Sequence, residues 1–140
     1  MIETSTQIRK ERIKKLWPKI AQVWLTDSEF ELPTEEKAKE FVNRIFGKYE
    51  TPKRKLNKFE CEEFALLFHS LAVMEQQEED TNHSYPIGQA MGTAFDDMYV
   101  LWSHSLNIFI VQEGILLIDY QSRKIWKAAE KDEVYFIYIV

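Results

Sequence analysis

The feature that most constrains this chain is a change of hydrophobic period about halfway along it. Up to residue 76 the apolar residues recur at intervals of three and four. After the polar loop EQQEEDTNH they come as short apolar runs broken by glycines. A period near 3.6 lets a helix bury one stripe, whereas compact runs rich in β-branched and aromatic residues suit strands. Helices first and an antiparallel sheet afterwards describe an α+β chain.

Residues 6–25 place Ile8, Ile13, Leu16, Trp17, Ile20, Val23 and Trp24 at helical spacing, which predicts an amphipathic helix that Pro18 breaks or kinks. Phe30 and Leu32 alternate in a short extended piece. A second helix is signalled by Thr34 as N-cap, Glu35 and Glu36 in its first turn, the stripe Ala38, Phe41, Val42, Ile45 and Phe46, and Gly47 past its end. The basic, turn-prone TPKRKLNK then leads to Asn57, which with Glu60 forms a capping-box variant opening a third helix over 59–76. Strands are expected over 87–94, 106–111, 115–120 and 134–140. Glu113-Gly114 serves as the tight hairpin turn, and the last strand is central because it is apolar on both faces.

The 140 residues, 45% hydrophobic and 14% aromatic, suffice for one packed domain over 1–140, with a helical N-terminal segment over 1–50 and a core over 55–140. A net charge of -5 argues against nucleic acid as a partner, since phosphate binding needs a basic face. Apolar stretches fall far short of the ~20 residues a membrane helix needs. One cysteine forms no internal disulfide and the N-terminus lacks an apolar signal core, so a cytoplasmic location is expected.

That cysteine, Cys61, falls in the first turn of the third helix, where the helix dipole favours a thiolate. A nucleophile there needs a histidine and a group to orient it. His69 lies eight residues further along the same helix, about 12 Å away by the 1.5 Å rise. His83 sits in a polar loop, and His104 at the mouth of an apolar strand is the better candidate. With the hairpin at Glu113-Gly114, Asp119 and Gln121 share a sheet face with His104, and either can orient it; a carboxylate within ILLIDY is costly to bury alone, which favours Asp119. Each residue also admits a structural role: Cys61 as core, His104 as a strand start, Asp119 as a turn.

FECEEFALLF, SHSLNIFI and ILLIDYQSRKIW together resemble papain-like cysteine peptidases, in particular compact bacterial and phage domains related to the protease domain of a Marasmius-type mushroom agglutinin. The likeness covers residues 55–140 and touches YPIGQAMG. It implies a papain-like (NlpC-type or agglutinin-protease-like) core and a thiol hydrolase or acyl transferase acting on an amide bond of a peptide or protein. Cys61 is then the nucleophile, His104 the base and Asp119 the orienter. Gln89 adds an oxyanion donor to the Cys61 amide, while Gln121 and Asn107 are secondary orienting residues. No cofactor is required, although the agglutinin likeness implies calcium, for which Asp96 and Asp97 are candidates beside Glu62 and Glu63. Ser103, Ser105, Asp119 and Tyr120 depart from the family's Gly, Ala, Glu and Pro. The alternative is an inactive papain-like scaffold of the phage or bacterial type that binds a protein through Trp17, Trp24, Trp102 or Trp126. A redox sensor would need a partner thiol.

Overall fold

Two faces of one sheet organise the chain in a computed structural model, which describes residues 1–95 and 98–140, with side chains described outside 94–103. The sheet has six strands in the order β2-β8-β4-β5-β6-β7: β2 is Gln22–Leu25, β4 Ile87–Phe95, β5 Met98–Val111, β6 Gly114–Asp119, β7 Lys124–Lys127 and β8 Val134–Ile139. A separate two-stranded sheet pairs β1 (Ile2–Thr4) with β3 (Glu29–Glu31). The expected α+β order of N-terminal helices followed by an antiparallel sheet is therefore corrected. Strands begin at residue 2, and the main sheet is mixed because β2 runs parallel to β8.

The N-terminal segment shows why. Of the helix expected over 6–25 only the part up to residue 16 forms, as α1 (Ser5–Gln7), a π-helical stretch (Ile8–Ile13) and α2 (Lys14–Leu16), and the helix stops before Trp17-Pro18. Beyond the proline, Gln22, Val23, Trp24 and Leu25 alternate exposed and half-buried along β2. Val23 and Trp24 fit a helical period equally well in the sequence. Pairing with the open side of β8 decided between the two periods, so 1–50 is not a purely helical segment.

Of the two later helices, the first lies where its cap placed it. Thr34 accepts from the Lys37 amide at the start of α3 (Glu35–Lys48), whose buried stripe is Ala38, Phe41, Val42, Ile45 and Phe46. The Glu113 carboxylate also accepts from the Glu35 amide at 3.0 Å, so a hairpin loop caps this helix from outside. Gly47 lies inside α3, and the chain leaves the helix at Tyr49. The fourth helix, α4, is Cys61–Glu75, and its N-cap Glu60 makes no side-chain cap. The Asn57 capping box does not form: Asn57 adopts φ 62° within a turn closed by a Lys55–Phe59 bridge. Glu75 at the end of α4 is buried and pairs with Arg44 and Lys48 of α3. Burial pushes its carboxyl up, but hydrogen bonds from Lys48 and Arg44 outweigh burial and hold it below its ordinary value.

Helices α3 and α4 cover one sheet face, where Phe41, Phe46, Phe64 and Phe68 meet Ile87, Phe109, Leu116, Ile118 and Tyr120. Ile8, Ile13 and Trp17 cover the other face, against Leu106, Ile108, Ile110, Leu117, Ile137 and Ile139. With both faces covered, β6 and β8 are apolar on both sides, which is the reason their sequences read as runs and not alternations. As expected, β8 is interior to the sheet, between β2 and β4.

Candidate functional site

Cys61 is the first residue of α4 and lies against the start of the paired part of β5. Its sulfur is 3.4 Å from Glu62 Oε2 and receives hydrogen bonds from the backbone and hydroxyl of Ser105. Burial pushes the thiol up; the Ser105 donors pull it down and Glu62 pushes it up again, so the net shift is upward. His104, half-buried, is pushed down by burial, against the opposing fields of Asp119 and Glu62. Both shifts favour neutral groups. The geometry therefore brings Cys61, Ser105, His104, Glu62 and Asp119 into one neighbourhood, but its desolvation favours a thiol and a neutral imidazole, not the thiolate expected from the helix position.

The expected outcome is that alkylation of Cys61 by iodoacetamide sets in at a higher pH than that of an unperturbed thiol, since burial pushes the thiol up. The His104→Ala profile should nearly overlay the wild type, because a neutral imidazole contributes no charge. Rapid alkylation near neutral pH that disappears in His104→Ala would contradict this account.

Asp119 is close enough for its field to reach His104, but its hydrogen bonds go to the turn between β6 and β7: it accepts from the Gln121 amide at 3.1 Å and the Ser122 hydroxyl at 2.9 Å. The other candidates are held elsewhere. Gln121 is exposed in that turn. The β5–β6 ladder runs from Asn107–Ile118 to Val111–Gly114, so the two-residue loop is Gln112-Glu113, one residue earlier than expected, and ladder pairing ends before His104. Gln89 Nε2 lies 2.9 Å from His69 Nδ1, beneath α4 and not at Cys61. Asn107 donates to the carbonyls of Ala65 and Gly88, tying helix to sheet. Asp96 and Asp97 lie outside the described residues, and among the described residues no group of three His, Cys, Asp or Glu could hold a metal ion. Trp102, offered as a binding aromatic, is also among the undescribed side chains, whereas Trp17 is core and Trp24 is exposed. No helix of the described residues is long and apolar enough to cross a membrane.

A second site was missed by sequence reasoning. A cavity of about 540 Å³ is lined by Trp17, Pro18, Lys19, Thr93, Glu130, Glu133 and Tyr135, among others. Its rim is built by a tight turn: buried Asp132 accepts from the Ala129 amide at 2.8 Å and holds Glu130 and Glu133 at the mouth. Glu133 is fixed in turn by the Thr93 hydroxyl, at 3.0 Å, next to shifts of register around Gly92 in β4. The Trp17 indole N–H is buried with no acceptor among the described residues. The only sequence signal was the acidic EKDEVY leading into the last strand, which is indistinguishable from a solvated turn.

No protein-family model matches the chain, and no curated protein matches it. Solved structures do. The "PSL1a-E64 complex" superimposes with a TM-score of 0.70 at 18% identity, covering 98% of this chain and 50% of that one. The Polyporus squamosus lectin bound to the human-type influenza-binding epitope Neu5Acα2-6Galβ1-4GlcNAc gives 0.68 at 16%, covering 98% and 49%. The chain thus has the fold of a segment of these chains and spans about half their length. These neighbours are named for a lectin, and they overturn the recognition as a papain-like peptidase drawn from three short motifs. Hydrolase or acyl-transferase activity, and its inactive protein-binding variant, are not carried further.

Proposed function

We propose that the chain is a carbohydrate-binding domain whose site is the cavity between the Trp17-Pro18 turn and the start of β8. The observation that carries this reading is the join of fold and cavity chemistry. A neighbour, about half of whose chain has this fold, is titled with a bound glycan, and this chain lines an open cavity with aromatic side chains, two carboxylates and a hydroxyl. Sugars offer paired hydroxyls that carboxylates accept bidentately and apolar C–H faces that lie against aromatic rings. The volume of about 540 Å³ is within the range of sites for small ligands and accommodates a short saccharide. Glu130 and Glu133 repel an anion, so the cavity itself takes neutral sugar units.

Isothermal titration with Galβ1-4GlcNAc tests it. Wild type should bind, and Tyr135→Ala and Glu133→Gln should each weaken binding by roughly tenfold, since a charge-assisted hydrogen bond or a ring contact is worth about 1–2 kcal/mol. No heat and no protein signal shifts on saccharide addition, with a folded protein, would remove the reading.

A second reading concerns Cys61, His104 and Asp119, and it is favoured by the E-64 ligand named with the other neighbour. Here the Cys61 neighbourhood would be a contact for a thiol-directed ligand, with no turnover assigned to it. A mass increase on E-64 treatment that Cys61→Ser abolishes would support it; unmodified protein would exclude it.

A further inference from the structure

We infer that His69 latches α4 to the sheet, and that acid, by protonating this ring, releases the second half of the helix from β4 and β8. The inference is independent of the saccharide reading. Cys61, Ala65 and His69 are spaced by four residues and so lie one turn apart on one face of α4. Each is tied to the sheet by a polar side chain. Ser105 donates to the Cys61 sulfur, Asn107 Nδ2 donates to the Ala65 carbonyl at 2.8 Å, and Gln89 Nε2 lies 2.9 Å from His69 Nδ1. Asn107 and Gln89 are ladder partners on β5 and β4, so paired residues of the sheet reach successive turns of the helix.

His69 is the imidazole among these three fastenings, and it is poorly placed to carry charge. It is 5% exposed, and its Nε2 is buried with no hydrogen-bond partner among the described residues. Whichever way the Gln89 amide is turned, the ring has one hydrogen bond, so an imidazolium would bury an N–H with no acceptor. Among the described residues no opposite charge faces it. The titrating groups of α4 itself, Cys61, Glu62, Glu63 and Glu75, are six or more residues away. On α3, Arg44 and Lys48 are paired with Glu75, and Lys48 also with Glu78 in the turn that follows α4. On β5, His104 is paired with Gly92, toward the Cys61 end; β4 presents Gln89, and β8 presents Tyr138, whose ring stands edge-on 6.0 Å away. Burial accordingly pushes the His69 ring down. A ring kept neutral in the folded chain is protonated first in the unfolded one, so its share of stability is full above about pH 6.5 and is lost as the pH falls below that.

Urea unfolding of the wild type and of His69→Gln between pH 8 and pH 5 reads the latch, because every other titrating group is common to the two proteins. The ratio of wild-type to variant unfolding constants should be flat above about pH 7 and rise by up to about tenfold per pH unit below about 6.5, the linkage of one proton. Amide exchange, corrected for the intrinsic rate, locates the release: on acidification protection over residues 69–75 should fall by more than protection in α3, and it should hold in His69→Gln. A flat ratio, or a His69 ring that titrates at or above about 6.5 in the wild-type NMR spectrum, overturns the latch. Equal loss across α3 and α4 also overturns it, because the opening is then global. Should His69→Gln fail to fold, the ring titration and the wild-type exchange pattern decide the question without it.

Discussion

Phe68→Ala will lower the stability of the chain by about 4 kcal/mol, the usual cost of emptying a fully buried aromatic position. Phe68 has 0% exposure and sits at the centre of the helix-covered face, with ring centroids 5.8 Å from Phe46 and 5.3 Å from Tyr120. It is therefore the contact through which α4 grips both α3 and the end of β6. In urea the transition midpoint should fall by roughly 2 M, given slopes of about 1–3 kcal/mol/M. Since domains are stable by only about 5–15 kcal/mol, the variant should be partly unfolded at modest denaturant. A loss below about 1 kcal/mol would mean that α4 does not pack on the sheet as described.

Gly88→Ala should be as damaging for a different reason. A Cβ at this position would stand 2.0 Å from the Tyr138 carbonyl oxygen and 2.8 Å from the Ile139 Cα, both backbone atoms that no rotamer change can clear. Gly88 is paired on both sides, to Ile108 of β5 and Ile139 of β8, so β4 cannot shift without opening a ladder. The expected cost is about 3 kcal/mol or more, at the upper end of overpacking. Loss of amide protection should concentrate in β8 and in β2, which joins the sheet through β8 alone. Gly47→Ala is the matched control: nothing lies within 4 Å of its Cβ position inside α3, so alanine there should stabilise by up to about 1 kcal/mol. Equal effects of the two substitutions in hydrogen exchange and melting would contradict the close approach of β4 and β8.

Much of the fold was legible because local chemistry was unambiguous. Thr34, the acidic first turn and the Phe41–Phe46 stripe define α3 without reference to anything distant. The hairpin between β5 and β6 was readable from its apolar arms, but its loop was displaced by one residue. Gly114, at φ 155°, starts a strand and Gln112-Glu113 makes the turn, with Glu113 drawn to the α3 N-terminus. The three motifs around Cys61, His104 and Asp119 do converge in space, so their order carried real geometric content. What they did not carry was protonation state: desolvation by neighbours outside the motifs raises the thiol and lowers the imidazole.

By itself, the sequence determined the elements whose signals are local: the capped helix α3, the apolar stripe of α4, and a following set of apolar strands. Tertiary structure alone decided the rest. Residues 22–25 became a parallel strand because β8 offered an unpaired side, which no periodicity in those four residues encodes. The lining of the cavity came together from Trp17, Thr93, Glu133 and Tyr135, four positions scattered over more than a hundred residues of chain. A site of that kind exists only once β4 and β8 are paired and the N-terminal turn has packed across them. Its recognition chemistry depends on distances between elements, and those distances are a property of the folded sheet.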